Sequence, residues 1–161
     1  MMSRHLADEA ASAAFASMLA AHQPGAAMVH LHGDLGAGKS TLARAWLRAL
    51  GVTGTVRSPT YTLVERYPVM GGEALHLDLY RIGDVGELDF LGLDDVEPVL
   101  WLVEWPERGA AALPAVDLEI RLAIDGTGRR ITLTGHGERG ARWLAAVEAD
   151  VQLPRFPEPK P

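Results

Sequence analysis

Gly33-Asp34-Leu35-Gly36-Ala37-Gly38-Lys39-Ser40-Thr41 is the stretch whose reading decides the fold. It fits G-x-x-x-x-G-K-[ST], the phosphate-cradling P-loop. Ala27-Met28-Val29-His30-Leu31 before it reads as a strand, and Leu42 to Leu50 after it reads as a helix that stops at Gly51. Strand, glycine-rich turn and helix form the order that phosphate binding requires. Glycine lets successive N–H groups curl towards one anion. The new helix adds the positive end of its dipole. In such a loop Lys39 reaches the β- and γ-phosphates, and the Ser40 hydroxyl ligates Mg²⁺. The whole stretch from Gly33 to Thr41 is therefore expected to bind a nucleoside triphosphate.

The next informative stretch is Val99-Leu100-Trp101-Leu102-Val103-Glu104. A continuous apolar run marks a strand buried on both faces, as in a parallel sheet. It ends in a carboxylate, the form of a Walker B strand whose acid approaches Mg²⁺ or its water. Given the P-loop, Glu104 and Asp78 are the two acids best placed for that work.

Taken in order, the chain begins a helix behind Asp8, a candidate N-cap, with Ala11, Phe15, Met18 and Leu19 on one face. Asp8 and Glu9 interrupt any basic leader before the small-residue run Ala10 to Ala21, which reads as an ordinary amphipathic helix. His30 and His32 point to one side of the P-loop strand. Packing is favoured there over metal, because no third ligand lies nearby in sequence. Val56 to Tyr67 and Ala74 to Arg81 read as a hairpin about Pro68 and Gly71-Gly72, an antiparallel element beside the P-loop core. In its second strand Leu75, Leu77 and Leu79 face one way. His76, Asp78 and Tyr80 face the other, a polar side expected over water or a site.

Gly83 to Glu97 is acidic and turn-rich, with Leu88, Phe90, Leu91 and Leu93 expected inward; its surface is either solvated or a docking face. Val116 to Ile124 and Arg129 to Thr134 flank Asp125-Gly126-Thr127-Gly128, a strong hairpin signal. Gly140 to Val151 reads as a closing helix with Trp143, Leu144 and Val147 buried. The proline-rich tail 153–161 is expected to be frayed and disordered. The fold class is α/β: one P-loop NTPase-like domain over residues 1–152, with a central mixed (parallel plus antiparallel) β-sheet flanked by helices.

A length of 161 residues suits a single domain. Fifteen Lys and Arg against 21 Asp and Glu leave a net charge of −6, which argues against a main task of gripping bare nucleic acid. Absence of cysteine excludes disulfides and thiolate metal sites. No stretch is long and apolar enough to span a membrane, and a cytoplasmic location is expected.

Several fragments together carry a family resemblance. The P-loop with its Asp-Leu-Gly-Ala interior, Ser58-Pro59-Thr60-Tyr61-Thr62-Leu63-Val64-Glu65, His76-Leu77-Asp78-Leu79-Tyr80-Arg81 and Val103-Glu104-Trp105-Pro106-Glu107-Arg108-Gly109 stand in this order. They resemble the motifs of the TsaE (YjeE) family of small bacterial P-loop ATPases, over roughly Asp8 to Val151. Ser40 stands where the family usually has Thr, and either hydroxyl can ligate Mg²⁺.

The resemblance implies a role in making N6-threonylcarbamoyladenosine beside the tRNA anticodon. It implies action with TsaD, which performs the transfer, and with TsaB, so that contact with tRNA is indirect. It implies ATP and Mg²⁺ as cofactors, Ser40 and Glu104 as Mg²⁺ ligands, and Asp78 as a further acid near the γ-phosphate. Lys39, Asp78 and Glu104 would be the catalytic set. Glu9 would lie on the base side of the nucleotide, Thr60 in a switch-like loop, and Arg129 close to the nucleotide. No internal arginine finger stands out, so hydrolysis by the isolated protein is expected to be slow, with a partner completing the site. A small-molecule or nucleoside kinase is the alternative enzyme, although no basic lid-like insert is visible. An ATP-sensing docking module is the third reading.

Overall fold

The computed structural model describes residues 1–161 apart from the side chain of Val85. Its centre is a seven-stranded sheet with the order β1-β7-β6-β2-β5-β4-β3. The strands are β1 (Met2–Leu6), β2 (Ala27–His32), β3 (Val64–Val69), β4 (Gly72–Asp78), β5 (Leu100–Glu104), β6 (Leu118–Asp125) and β7 (Gly128–Gly135). β2 runs parallel to β5 and β6, and β4 runs parallel to β5. The β3·β4, β6·β7 and β1·β7 pairs are antiparallel. The mixed α/β sheet read from the sequence is therefore what the chain forms.

Alternation along the strands sends residues to two different cores. Val29, Leu31, Leu100, Leu102, Ile120 and Leu133 face the larger one, which also takes Phe15 and Leu19 of α1 (Glu9–Ala21), Leu42 and Trp46 of α2 (Lys39–Ala49), and Trp143 of α3 (Gly137–Glu148). Met28, Leu75, Leu77, Trp101 and Val103 face the smaller one, covered by Leu88 and Leu91 of the 3₁₀ turn Val85–Leu91. Asp8 caps α1, its carboxylate accepting from Ala11 N–H at 2.8 Å. Trp46 and Trp143 meet edge to face at 5.7 Å, and the Trp143 indole N–H donates to the Leu19 carbonyl at 3.1 Å. That bond satisfies the polar end of a buried aromatic, as burial demands.

Several local expectations change. Strand β1 had no counterpart in the sequence reading. β3 begins only at Val64, because Thr60 to Thr62 turn and Leu63 takes φ +66°. β4 ends at Asp78, where the chain turns at Tyr80 and Arg81. Its polar side is not over water: His76 and Asp78 are 2% and 6% exposed, because β3 and β5 flank the strand and the larger core lies across that face. Phe90, expected inward, is 90% exposed, since the 3₁₀ turn directs Leu88 to the core instead.

The tail is also different from the expectation of disorder. Leu153–Arg155 form a 3₁₀ turn, and Leu153 and Phe156 are each 5% exposed. Phe156 meets Phe15 edge to face at 5.0 Å, and the Pro157 carbonyl accepts from His5 N–H at 2.7 Å. Two apolar side chains anchor a segment whose prolines alone cannot form regular structure. A chain ending at Gln152 should lose about 3–6 kcal/mol of stability, the value of burying two large apolar side chains. Denaturant unfolding of the shortened chain measures this.

On the second sheet face, beyond the smaller core, β2, β6 and the start of α3 bring His30, His32, Glu119 and His136 together. Glu119 accepts from His136 at 2.9 Å and pairs with His32 at 3.0 Å. Burial, and secondarily the neighbouring His32, lower the His30 pKa from the ordinary 6.5 to about 4, against the pull of Glu119. The unfolded chain takes up a proton on this residue near pH 6.5, whereas the folded chain does so only near 4. Stability is therefore lost as pH falls through that window. Urea unfolding at stepped pH should show the loss, with a shallower slope in His30→Gln.

Candidate active site

The P-loop leaves the end of β2 and feeds α2, so its N–H groups surround the helix N-terminus. Gly33 has φ +150°, and a Cβ there would lie 2.6 Å from the Leu122 carbonyl oxygen. Gly38, at φ +105°, occupies the N-cap of α2. Both positions require glycine, the first for space and the second for backbone conformation. Lys39 opens the helix and is 5% exposed. Its ammonium donates to the Asp34 carbonyl at 3.0 Å and to that of Gly33, and sits 4.6 Å from the Trp105 ring centre. Burial holds the Lys39 pKa below the usual lysine range, and Glu104 and Asp78 pull it back up.

Glu104 at the end of β5 is directly opposite Asp78 at the end of β4, and both are buried. The Ser40 hydroxyl lies 3.3 Å from each Glu104 carboxylate oxygen. Asp78 Oδ1 accepts from Tyr80 N–H at 3.0 Å. Burial raises the Asp78 pKa above the usual carboxylate range, the Tyr80 N–H opposes that rise, and the Glu104 charge adds to it. Two carboxylates are thus held together within reach of one buried ammonium.

Leu35, Gly36, Gly38, Lys39, Ser40, Thr41, Thr60, Asp78, Glu104 and Arg129 all line one open cleft of about 380 Å³. A second hollow of about 370 Å³ shares Gly38, Thr41 and Arg129 with it, and is lined by Glu9, Ala37, Asp8 and Ser12. Gly33 and Asp34 stand behind the cleft, with their carbonyls turned onto Lys39. Arg129 holds the loop from the hairpin side: its Nε donates to the Ala37 carbonyl at 3.0 Å and its Nη2 to that of Gly36 at 3.2 Å.

Residues that the sequence reading passed over also belong here. Trp105 follows Glu104 with φ +55°, lies 4.8 Å from the Tyr80 ring, and lines the cleft. His76 contacts Glu104 from inside the sheet. The alternation that placed His76 and Asp78 on one side of a strand already carried the second signal.

The donor set suits Mg²⁺ with a nucleotide. Among the described residues no three His, Cys, Asp or Glu assemble into a metal cage. Mg²⁺ is usually held by one or two carboxylates together with substrate phosphates and water. Ser40, Glu104 and Asp78 at the mouth of a glycine cradle provide that combination of hard oxygen ligands.

Comparison with known proteins matches residues 6–131 to the family model described as threonylcarbamoyl adenosine biosynthesis protein TsaE. The chain belongs to the TsaE family. A Haemophilus influenzae TsaE is 41% identical over 131 residues, covering 80% of this chain and 83% of that protein. A Bacillus subtilis TsaE is 36% identical over 129 residues, covering 78% and 80%. The crystal structure of Bacillus subtilis YdiB superposes with a TM-score of 0.74 at 29% identity, covering 91% of this chain and 93% of that one. The TsaE model spans the P-loop, both acids and Arg129, and stops within β7. Helix α3 and the docked tail lie beyond it.

Because Arg129 fastens the P-loop through two carbonyls, Arg129→Met should weaken ADP binding by roughly tenfold to a hundredfold, the counterpart of the about 1.5–3 kcal/mol typical of a charged hydrogen bond. Calorimetric titration of ADP into both proteins gives the ratio.

Proposed function

We propose that this chain binds ATP with Mg²⁺, hydrolyses it, and thereby supports N6-threonylcarbamoyladenosine formation on tRNA in concert with TsaD and TsaB. The observation that carries the reading is the convergence of Lys39, Ser40, Asp78 and Glu104 on one cleft at the carboxyl ends of parallel strands. That is where open α/β sheets bind ligands. The relatives' shared description as tRNA threonylcarbamoyladenosine biosynthesis proteins supplies the biological direction.

Each residue has a definite task. The loop N–H groups and Lys39 balance phosphate charge, for which Lys39 exchanges its carbonyl partners for phosphate oxygens. Ser40 and Glu104 would hold Mg²⁺, which neutralises charge between the β- and γ-phosphates when bound. Asp78 or Glu104 orients the attacking water. Asp78, with its raised pKa, is the better placed of the two to accept a proton, because Glu104 already holds Ser40 and His76. Glu9 in the adjoining hollow serves the base side, and Thr60 the phosphate side. Positioning and electrostatics carry such a reaction, with little covalent work for the protein.

The arginines nearest the cleft are already engaged. Arg81 lies over Tyr61 at 4.6 Å, Arg108 over Tyr80 at 4.9 Å, and Arg129 is on the loop carbonyls. This favours slow turnover by the isolated chain and a transition-state charge supplied by partners. The ATPase rate should rise when purified TsaD and TsaB are added, and the same samples should accumulate modified tRNA. Equal rates with and without the pair overturn partner dependence. Glu104→Ala should abolish both hydrolysis and modification. Retained modification would point instead to ATP sensing without hydrolysis.

A further inference from the structure

His76 occupies the interior of β4, paired with Glu65 of β3 and Leu102 of β5. It is two residues before Asp78, on the same face of the sheet. Glu104 is two residues beyond Leu102, so the ring and the carboxylate are diagonal neighbours. Nε2 of His76 lies 2.5 Å from Glu104 Oε2, and both side chains are 3% exposed. A carboxylate can only accept, so Nε2 carries the proton and donates. Nδ1 is buried with no hydrogen-bond partner. An orphaned buried nitrogen is costly, and an apolar residue would fill the same space without that cost. The bond to Glu104 is what the ring contributes in return.

Glu104 has little else to fix it. Ser40 Oγ stands 3.3 Å from both carboxylate oxygens, long for a hydroxyl–carboxylate bond and shared between the two. Asp78, directly opposite, carries the same charge and pushes the carboxylate away. We propose that His76 is the positioning residue for Glu104: it ties Oε2, holds the carboxylate with both oxygens 3.3 Å from Ser40 Oγ at the cleft, and so sets the Mg²⁺ requirement of nucleotide binding. The inference rests on the reading of Glu104 as a Mg²⁺ ligand. A second layer of this kind commonly governs metal affinity through orientation alone.

The test measures ADP binding to the full chain in EDTA and across a Mg²⁺ titration, for wild type, His76→Leu, His76→Gln and Glu104→Gln. His76→Leu should raise the half-saturating Mg²⁺ about tenfold, the lower end of the effect of losing such a partner, while ADP affinity in EDTA stays unchanged. His76→Gln keeps an amide donor for Oε2 and should recover most of the Mg²⁺ response. An unchanged Mg²⁺ requirement in His76→Leu, an equal loss in EDTA, or a Gln variant no better than Leu overturns the inference. Glu104→Gln separates the two levels. If it raises the Mg²⁺ requirement and His76→Leu does not, positioning by His76 fails alone. If Glu104→Gln leaves the requirement at the wild-type value, the ligand reading fails and takes the inference with it. Circular dichroism checks folding, and His76→Asn, whose shorter amide does not reach Oε2, replaces the Leu variant if that one is unstable.

Discussion

Leu31, Glu104 and Asp78 occupy one rung across three parallel strands, and the site depends on that register. Two residues beyond Leu31, β2 has become the P-loop. At Glu104 and Asp78, β5 and β4 end. A slip of one residue in β4 would turn Asp78 to the face of Leu75 and Leu77, away from Lys39. Register is specified by hydrophobic alternation on two buried faces, so the same apolar residues that hold the sheet together also aim its acids.

The electrostatics follow from this placement. Lys39, Asp78 and Glu104 are buried charges, which a protein interior tolerates when they compensate one another. Two carboxylates against one ammonium leave an excess of negative charge: burial raises Asp78 and the Glu104 charge adds to the rise, whereas burial lowers Lys39 and the two carboxylates pull it back up. A pre-formed pocket of this kind favours added positive charge. The acidic balance of the whole chain adds to the same field.

The parts legible in the sequence were those encoded by short-range pattern. The P-loop with its flanks, the Asp8 cap, the buried β5 run and the β6–β7 hairpin each carry their own signal within a dozen residues. Other features exist only through distant partners. β1 is five residues long and is held by β7, more than a hundred residues away. The tail is ordered by Phe15 and His5, which no proline-rich composition reveals. The burial of His76 follows from β4 lying between β3 and β5, an order that local alternation does not contain. Thr60 and Leu63 depart from the expected strand because a turn there brings Thr60 to the cleft.

The two margins of the sheet end differently. β3 carries Pro68, which lacks an N–H, and the Arg66–Glu73 pair at 2.8 Å beside it. Both discourage another strand from adding there. β1, Met2 to Leu6, has no proline, and its arginine, Arg4, pairs with Glu158 of the tail at 3.4 Å. Its outer side instead meets the tail, where His5 N–H is already taken by the Pro157 carbonyl. The final segment thus acts as a sacrificial neighbour, occupying a pairing position that a second molecule would otherwise find open. Clipping it would change how these molecules meet one another as well as how firmly each one folds.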